Sequence, residues 1–452
     1  MNITLLTTQK FLPPLVGGVD VYTYRLGKAL SAMGHTIQIV ALNPGVANEV
    51  EPFSTEQDEL DGFPVTRILF SFADRPKEAF DYGYDAEMGQ AVKSILQEQQ
   101  PHLFIVVNFY MITLSAVLVA NELGIPVFHV ATDFLPICRR ATFIRWNNVS
   151  CQLGESIKSC SACFVSHNVL GRVGTAVLNT LPESTLTKLA RNRDQYALPN
   201  PLAAMKPYWN QVAIMEQRLR TLSPLRAMID HVFVPTQFTR KMFVENGFDT
   251  RRVHHVPFGV DPNHPLTQVE RTPSDHVRFL FIGRFQPYKG AHLLIEAFNK
   301  LANPKGATLT FYGGSDGHED YYERLQQMMA QNERIRFLGK IDPADLAQAF
   351  ADADYFILPS TWHENMPLIT LDALQSHTPL ISSDIGGVTD VIKHDVNGLL
   401  FPMGDVSALQ ATLQRTIDDP TLVDKLSAGV DLMTIDKYAE AMLAYLPEPV
   451  EH

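Results

Sequence analysis

The stretch Phe279–Phe298, "FLFIGRFQPYKGAHLLIEAF", sets an unbroken apolar run against a short polar loop and then a helix-like repeat. Four apolar residues in a row read as a strand buried on both faces, and Gly283 and Gly290 bracket the loop that leads into the helix. That loop carries Arg284 and Lys289. Two fixed cations at the carboxyl end of a parallel strand suit a diphosphate, because ligands of open α/β sheets collect there. Taken alone, each is also what a solvated loop carries.

Outward from this unit the alternation of strand and helix continues. Downstream, "TLTFYGG", "IRFLGK", "YFILPS" and "PLISSD" read as further strands. Upstream, "NITLLTT", "TIQIVAL", "HLFIVV", "VFHVAT", "ACFVSH", "HVFVPT" and "VHHVPF" do the same, with "GVDVYTYRLGKALSAMGH" as the first helix. Such alternation predicts two doubly wound α/β domains. The Pro-rich polar stretch "PFGVDPNHPLTQVERTPSDH" places the boundary near residue 262, so residues 1–262 form the first domain and 263–430 the second. Residues 165–225 read as a helical insertion without clear strands.

Composition excludes several classes. The 452 residues, 46% hydrophobic and 19% charged, are those of a globular protein rather than a disordered one. "LFIVVNFYMITLSAVLVA" (103–120) is long enough to span a membrane, but it parses as strand, loop and helix stopped by Gly124. The net charge of −12 hides a basic centre: from Cys138 to Val260 there are 16 Lys and Arg against 7 Asp and Glu. Those charges suit solvated helix faces or contact with an anionic lipid surface; no motif for nucleic acid accompanies them.

The N-terminus "MNITLLTTQKFLPPL" lacks a basic leader, which points to a reducing cytosol. All four cysteines, Cys138, Cys151, Cys160 and Cys163, fall in the loop 138–163. The terminal Cys-x-x-Cys spacing favours a structural zinc site; an iron–sulfur cluster or free thiols are the other readings.

Two further segments carry chemistry. Gly17 and Gly18 sit where a strand turns into a helix, a place where backbone approaches a ligand closely. In "LPSTWHENMPLITLDALQ", Glu364 precedes a short turn and helix, with Asp372 eight positions on, two turns later on nearly the same face. Carboxylates there would grip sugar hydroxyls, and the backbone from Asn365 through Met366 and Pro367 to Leu368 would line a phosphate. "DAD" at Asp352–Asp354 resembles a metal-binding Asp-x-Asp, but it directly precedes a strand and reads as a helix end.

The ordered set of the Gly-Gly turn, "GRFQPYKG", "PSTWHENMPL" and "SDIGGVTDVI" followed by "NGLLF" resembles glycosyltransferase family 4. The resemblance runs from Met1 to about Asp405. It implies the GT-B fold, two Rossmann-like domains facing a cleft, with residues 431–452 returning to complete the first. It also implies transfer of a sugar from a nucleotide-diphosphate donor with retention of configuration and no catalytic metal. By position, Arg284 and Lys289 would neutralise the leaving diphosphate, and Glu364 would hold the donor sugar. Asp372 would face the ribose, where the family usually has the longer Glu. Gly17 and Gly18 would let the first loop close over the donor, and Gly386 and Gly387 would shape the turn beneath it.

One position departs from the family pattern. In "VATDF", Thr132 stands where many members have a histidine, which leaves Asp133 as the candidate to contact the acceptor hydroxyl. Some members carry four cysteines after the same strand. The implied acceptor is a glycan or lipid-linked chain in surface polysaccharide assembly, met in the cytoplasm or at the inner membrane face. A GT-B epimerase, a phosphorylase and a non-catalytic sugar-nucleotide-binding protein share the architecture.

Overall fold

The computed structural model describes all residues except 9, 16, 45–50, 72–84, 110–113, 146–150, 152–153, 166–171, 173–174, 177–178, 193–205, 303–305, 316, 331, 428–429 and 447–452. Two compact units emerge, Met1–Val234 with Arg240–His255, and Pro235–Thr239 with Val256–His452.

The first unit holds an eight-stranded sheet. Its strands are β1 (Asn2–Leu6), β2 (Thr36–Pro44), β3 (Thr55–Leu60), β4 (Phe63–Phe70), β5 (Leu103–Val106), β6 (Val127–Val130), β7 (His231–Val234) and β8 (Val253–His255). They are ordered β3-β4-β2-β1-β5-β6-β7-β8, and every pair is parallel except β3 with β4. The apolar runs β5 and β6 are fully buried, which disposes of the membrane reading of their neighbourhood. No helix among the described residues is long and apolar enough to cross a membrane.

One expected strand is a helix. "ACFVSH" begins inside the helix Ile157–Val165, where the Ser156 side chain accepts the Ser159 N–H as a cap and overrides a short apolar run. In the insertion, the helices Glu183–Arg191 and Lys206–Met228 bury Leu186, Ala190, Tyr208, Trp209 and Val212 against one another. Much of the basic surplus is consumed locally. Arg218, almost wholly buried, pairs with Glu155 at 2.8 Å and donates to the Leu135 carbonyl, and Arg226 reaches the same carboxylate at 3.4 Å.

In the second unit six parallel strands follow the order β11-β10-β9-β12-β13-β14. They are β9 (Val277–Ile282), β10 (Ala307–Tyr312), β11 (Ile335–Phe337), β12 (Tyr355–Leu358), β13 (Leu380–Ser383) and β14 (Gly398–Phe401). Side chains alternate between two cores: Phe279, Phe281, Tyr355 and Ile357 enter one, Leu280, Phe356 and Leu358 the other. From β9 the chain moves outward to β10 and β11, then returns to start β12 on the other side of β9. The carboxyl ends of β9 and β12 therefore flank a topological switch point, where open α/β sheets bind ligands.

The division falls after His255 rather than at residue 262, and the C-terminal helix Ile435–Leu443 groups with the second unit, not the first. The reason is local packing. Val260 bridges Thr434, Phe258 meets Tyr438 edge-on, and a Cβ on Gly259 would stand 2.4 Å from the Ile435 Cα.

Beside the Gly-Gly turn, in the first turn of the helix Gly18–Ala32, Asp20 is buried and accepts a hydrogen bond from Thr7 Oγ1 at 3.1 Å. Burial pushes its carboxyl up to about 6 from the ordinary 3.8. A raised folded-state value favours the neutral acid, so folding loses up to ~3 kcal/mol as pH rises from about 4 through about 6. Asp20→Asn keeps an acceptor for Thr7 and removes that loss. Its Tm should exceed wild type by several degrees at pH 7.5 and match it near pH 4; an equal shift at both pH values would contradict the burial penalty.

Candidate functional site

Three loops leave the carboxyl ends of the neighbouring strands β9, β12 and β13, and missing side chains let them close on one another. Gly290 has φ +75°, and a Cβ there would fall 1.9 Å from the Pro359 carbonyl oxygen. Gly387 is equally constrained, since its Cβ would lie 2.1 Å from the Asn365 carbonyl. The Thr361 N–H donates to the Tyr288 carbonyl at 2.7 Å, and the Gly387 N–H to that of Glu364 at 3.2 Å.

Within this frame Lys289 and Glu364, 75 positions apart, form an ion pair: Lys289 Nζ donates to Glu364 Oε1 at 2.8 Å. Glu364 is buried, and the same oxygen accepts from Ser360 Oγ and Trp362 Nε1, each at 2.7 Å. Arg284 leaves β9 one residue after Gly283 and is exposed, with no ion-pair partner among the described residues. An exposed guanidinium thus shares its loop with an ammonium held on a buried carboxylate, chemistry that suits a diphosphate attached to a polyol.

The neighbouring residues are placed as follows. Asn365 is buried and its Oδ1 accepts from Thr239 Oγ1 at 2.6 Å. His363 stacks on Phe238 at 4.8 Å, and burial lowers its pKa below the usual imidazole value. Met366 is buried. Pro367 caps the helix Leu368–Gln375 and carries no N–H, so it cannot join its neighbours in lining a phosphate. The helix begins four residues after Glu364, so Glu364 and Asp372 do not share a helical face. Asp372 lies buried within the helix. Asp352 ends a helix, and Asp354 forks onto Arg278, as the helix-end reading requires.

In the first unit, Gly17 caps its helix at φ −86°, ψ 134°, angles any residue adopts. Asp133 accepts from the Phe109 N–H at 3.2 Å and the Leu135 N–H at 2.7 Å. Both carboxylate oxygens thus hold loop backbone, the capping role. Thr132 donates to the Val107 carbonyl at 2.6 Å.

Cys138, Cys151, Cys160 and Cys163 line one cavity of about 40 Å³ with Phe143 and Glu155, and none of the four is in a disulfide. Burial pushes the Cys160 thiol up to about 12 and raises Cys138 as well. The donor chemistry fits a thiophilic cation. The spacing does not: among the described residues no three His, Cys, Asp or Glu side chains are arranged to hold a metal ion. The closed tetrahedral site expected from Cys-x-x-Cys is therefore not preformed among the described residues, and residues 146–150 of the segment between the first two thiols lie outside them.

Sequence reasoning passed over Ser360, Trp362 and Thr239. Ser360 and Trp362 lay inside a recognised motif, but their partners are set by the folded loop; Thr239 lay over a hundred residues from Asn365.

Comparison with known proteins agrees with this geometry. Residues 265–430 match the family model described as glycosyl transferases group 1, and residues 17–151 that of the glycosyl transferase 4-like domain. D-inositol 3-phosphate glycosyltransferase of Jonesia denitrificans is 31% identical over 222 residues, 43% of this chain and 51% of that protein. The chain thus spans about half the length of this curated relative, and less of the next two. Sucrose-phosphate synthase from Thermosynechococcus elongatus superposes with a TM-score of 0.62 at 18% identity, covering 97% of this chain and 94% of that one. HepE of Anabaena, in complex with UDP and glucose, superposes with a TM-score of 0.62 at 16% identity, covering 98% and 99%. With two parallel-sheet α/β units and a glycosyltransferase domain model matched in each, the chain carries a glycosyl transferase 4-like domain and a glycosyl transferases group 1 domain and has the GT-B fold.

Proposed function

We propose that this protein moves a sugar from a nucleotide-diphosphate sugar to a glycan or lipid-linked acceptor with retention of configuration, in assembly of a surface polysaccharide or glycoconjugate. The observation that carries the reading is the Lys289–Glu364 pair at the switch point of the second sheet, with the exposed Arg284 on the same loop as Lys289. In the reaction the bond from the anomeric carbon to the diphosphate oxygen breaks, and a bond to the acceptor oxygen forms on the same face. The proton of the acceptor hydroxyl ends on the released diphosphate. Charge grows on the leaving oxygens, and Arg284 and Lys289 meet it with donors already in place, which lowers the barrier more than it tightens ground-state binding. Glu364 accepts hydrogen bonds from the sugar hydroxyls and so orients the ring. These residues supply the charge that a catalytic metal supplies elsewhere.

A structural zinc at the four-cysteine cavity is a second part of the proposal. The sulfurs line one cavity, and zinc binding would require their χ1 rotamers to change, a switch that moves a cysteine sulfur by ~3 Å. Zinc would take the thiolate forms, tying the loop 138–163 together and offsetting the burial that now holds Cys160 protonated.

Two experiments check these readings. Arg284→Ala and Lys289→Ala should each lower kcat for transfer or donor hydrolysis, screened over sugar nucleotides, by ~10²-fold or more with Tm preserved. Turnover within threefold of wild type for both would remove the diphosphate assignment, product that is an epimerised donor would favour an epimerase, and dependence on orthophosphate a phosphorylase. For the cavity, elemental analysis should find about one zinc per chain, lost in the Cys160→Ser, Cys163→Ser double variant. Metal-free protein of full activity and unchanged Tm would overturn it.

A further inference from the structure

The Lys289–Glu364 pair poses a geometric problem. A free ammonium beside a carboxylate gains most by sitting between both oxygens, which would leave neither for a ligand. Here all the contacts crowd one side: Lys289 Nζ, Ser360 Oγ and Trp362 Nε1 all reach Oε1, at 2.8, 2.7 and 2.7 Å. Three donors fill the acceptor capacity of a single carboxylate oxygen. Oε2 accepts nothing from any described residue, in a side chain that is 3% exposed.

Trp362 is the part that makes this arrangement specific. Its indole N–H is aimed at the carboxylate, and its ring lies under the ammonium, with Lys289 Nζ 5.1 Å from the ring centroid. One rigid side chain thus touches both members of the pair, by a charge-assisted hydrogen bond on its edge and a cation–π contact on its face. The ring is itself held. Tyr288 packs against it at 5.2 Å with the planes 58° apart, and its hydroxyl is bonded to Gln286. On either side the backbone is fixed by the Thr361-to-Tyr288 hydrogen bond and by the contact of Gly290 with Pro359.

We propose that Trp362, aided by Ser360, is a positioning residue that holds the Lys289–Glu364 pair one-sided, so that Glu364 Oε2 is kept as the acceptor for a hydroxyl of the donor sugar. The terminal torsion of a glutamate is broad and has little preference of its own, so donors must fix it from outside. Two neutral donors on Oε1 set that rotation, and the indole face keeps the ammonium from sliding between the oxygens. The ligand chemistry follows: Oε2 selects a sugar that presents a hydroxyl donor at this point, and a deoxy or O-methyl sugar at the same carbon leaves a buried carboxylate oxygen unpaired.

This inference rests on the proposed role of Glu364, and the test separates the two. Trp362→Phe keeps a ring beneath Lys289 and removes only the N–H; Ser360→Ala removes the hydroxyl. The probe is whichever member of a panel of UDP-, GDP-, ADP- and dTDP-sugars wild type turns over fastest, or hydrolyses fastest if no acceptor is supplied. For Trp362→Phe, kcat should fall ~10- to 100-fold while donor KM and Tm stay near wild type, because an oriented charge is lost and the diphosphate contacts are not. The crystal structure of the variant should show the Glu364 carboxylate rotated and Lys289 Nζ within ~3.2 Å of both oxygens. Ser360→Ala should lose less, and the double variant more than either.

Near-wild-type kcat in Trp362→Phe, with Glu364→Gln inactive, would overturn the positioning role and leave the role of Glu364 standing. Wild-type activity in Glu364→Gln would instead remove the role of Glu364. In that event the variant structure alone decides the geometric claim: a carboxylate still bound on Oε1 only refutes it, and a rotated one upholds it.

Discussion

The close approach of two loops at Gly290 is the constraint on which the site depends. A side chain of even one carbon there would occupy the Pro359 carbonyl, so the loops after β9 and β12 can meet only because this position is bare. Their meeting brings together a lysine and a glutamate that neither loop could pair alone. The topology does the rest, since the two strands lie side by side at the place where the chain changes direction across the sheet. Affinity for a charged, hydroxyl-bearing ligand is thus a property of the junction between two β–loop–α units rather than of either one.

Electrostatics are handled differently in the two units. In the second, ionic side chains are buried in well-bonded sets: Glu364 with three donors, Asp354 with the Arg278 fork and backbone N–H. In the first, beside the buried Arg218–Glu155 pair, burial disfavours the charged forms of several groups, among them Asp20, His129, held down to about 4, and the Cys160 thiol. Buried groups that are neutral yet ionisable respond to pH, metal or ligand, whereas paired ones mainly fix geometry.

What was legible in the sequence follows this division. The strands of the second unit are mostly apolar and short, and all but β14 appeared as such; β14 is visible only as the motif "NGLLF". In the first, β3 and β4 left no comparable signal. Thr55–Leu60 is a polar edge strand, and β4 carries Pro64 and a buried Arg67, whose guanidinium binds Asp58 and the carbonyls of Lys10 and Phe11. Periodicity has no means of anticipating an arginine that is buried because a distant loop offers it carbonyls. The same limit separates Lys289 and Glu364, visible through motif and charge, from Trp362, whose two contacts exist only once the loops have met. The helical face imagined for Glu364 and Asp372 failed because Pro367 delays the helix start.

The buried carboxylate of Glu155 carries a consequence for how this chain could have been assembled in evolution. It sits between the second and third cysteines and is bound by Arg218 and Arg226 of the long insertion helix. Removing the insertion would strand a buried anion, and removing the cysteine loop would strand an almost wholly buried guanidinium; either defect is of the order of ~3–5 kcal/mol. The two segments are therefore a single heritable module. A chimera that borrows the cysteine loop must take the insertion helix with it, and lineages should gain or lose the pair together.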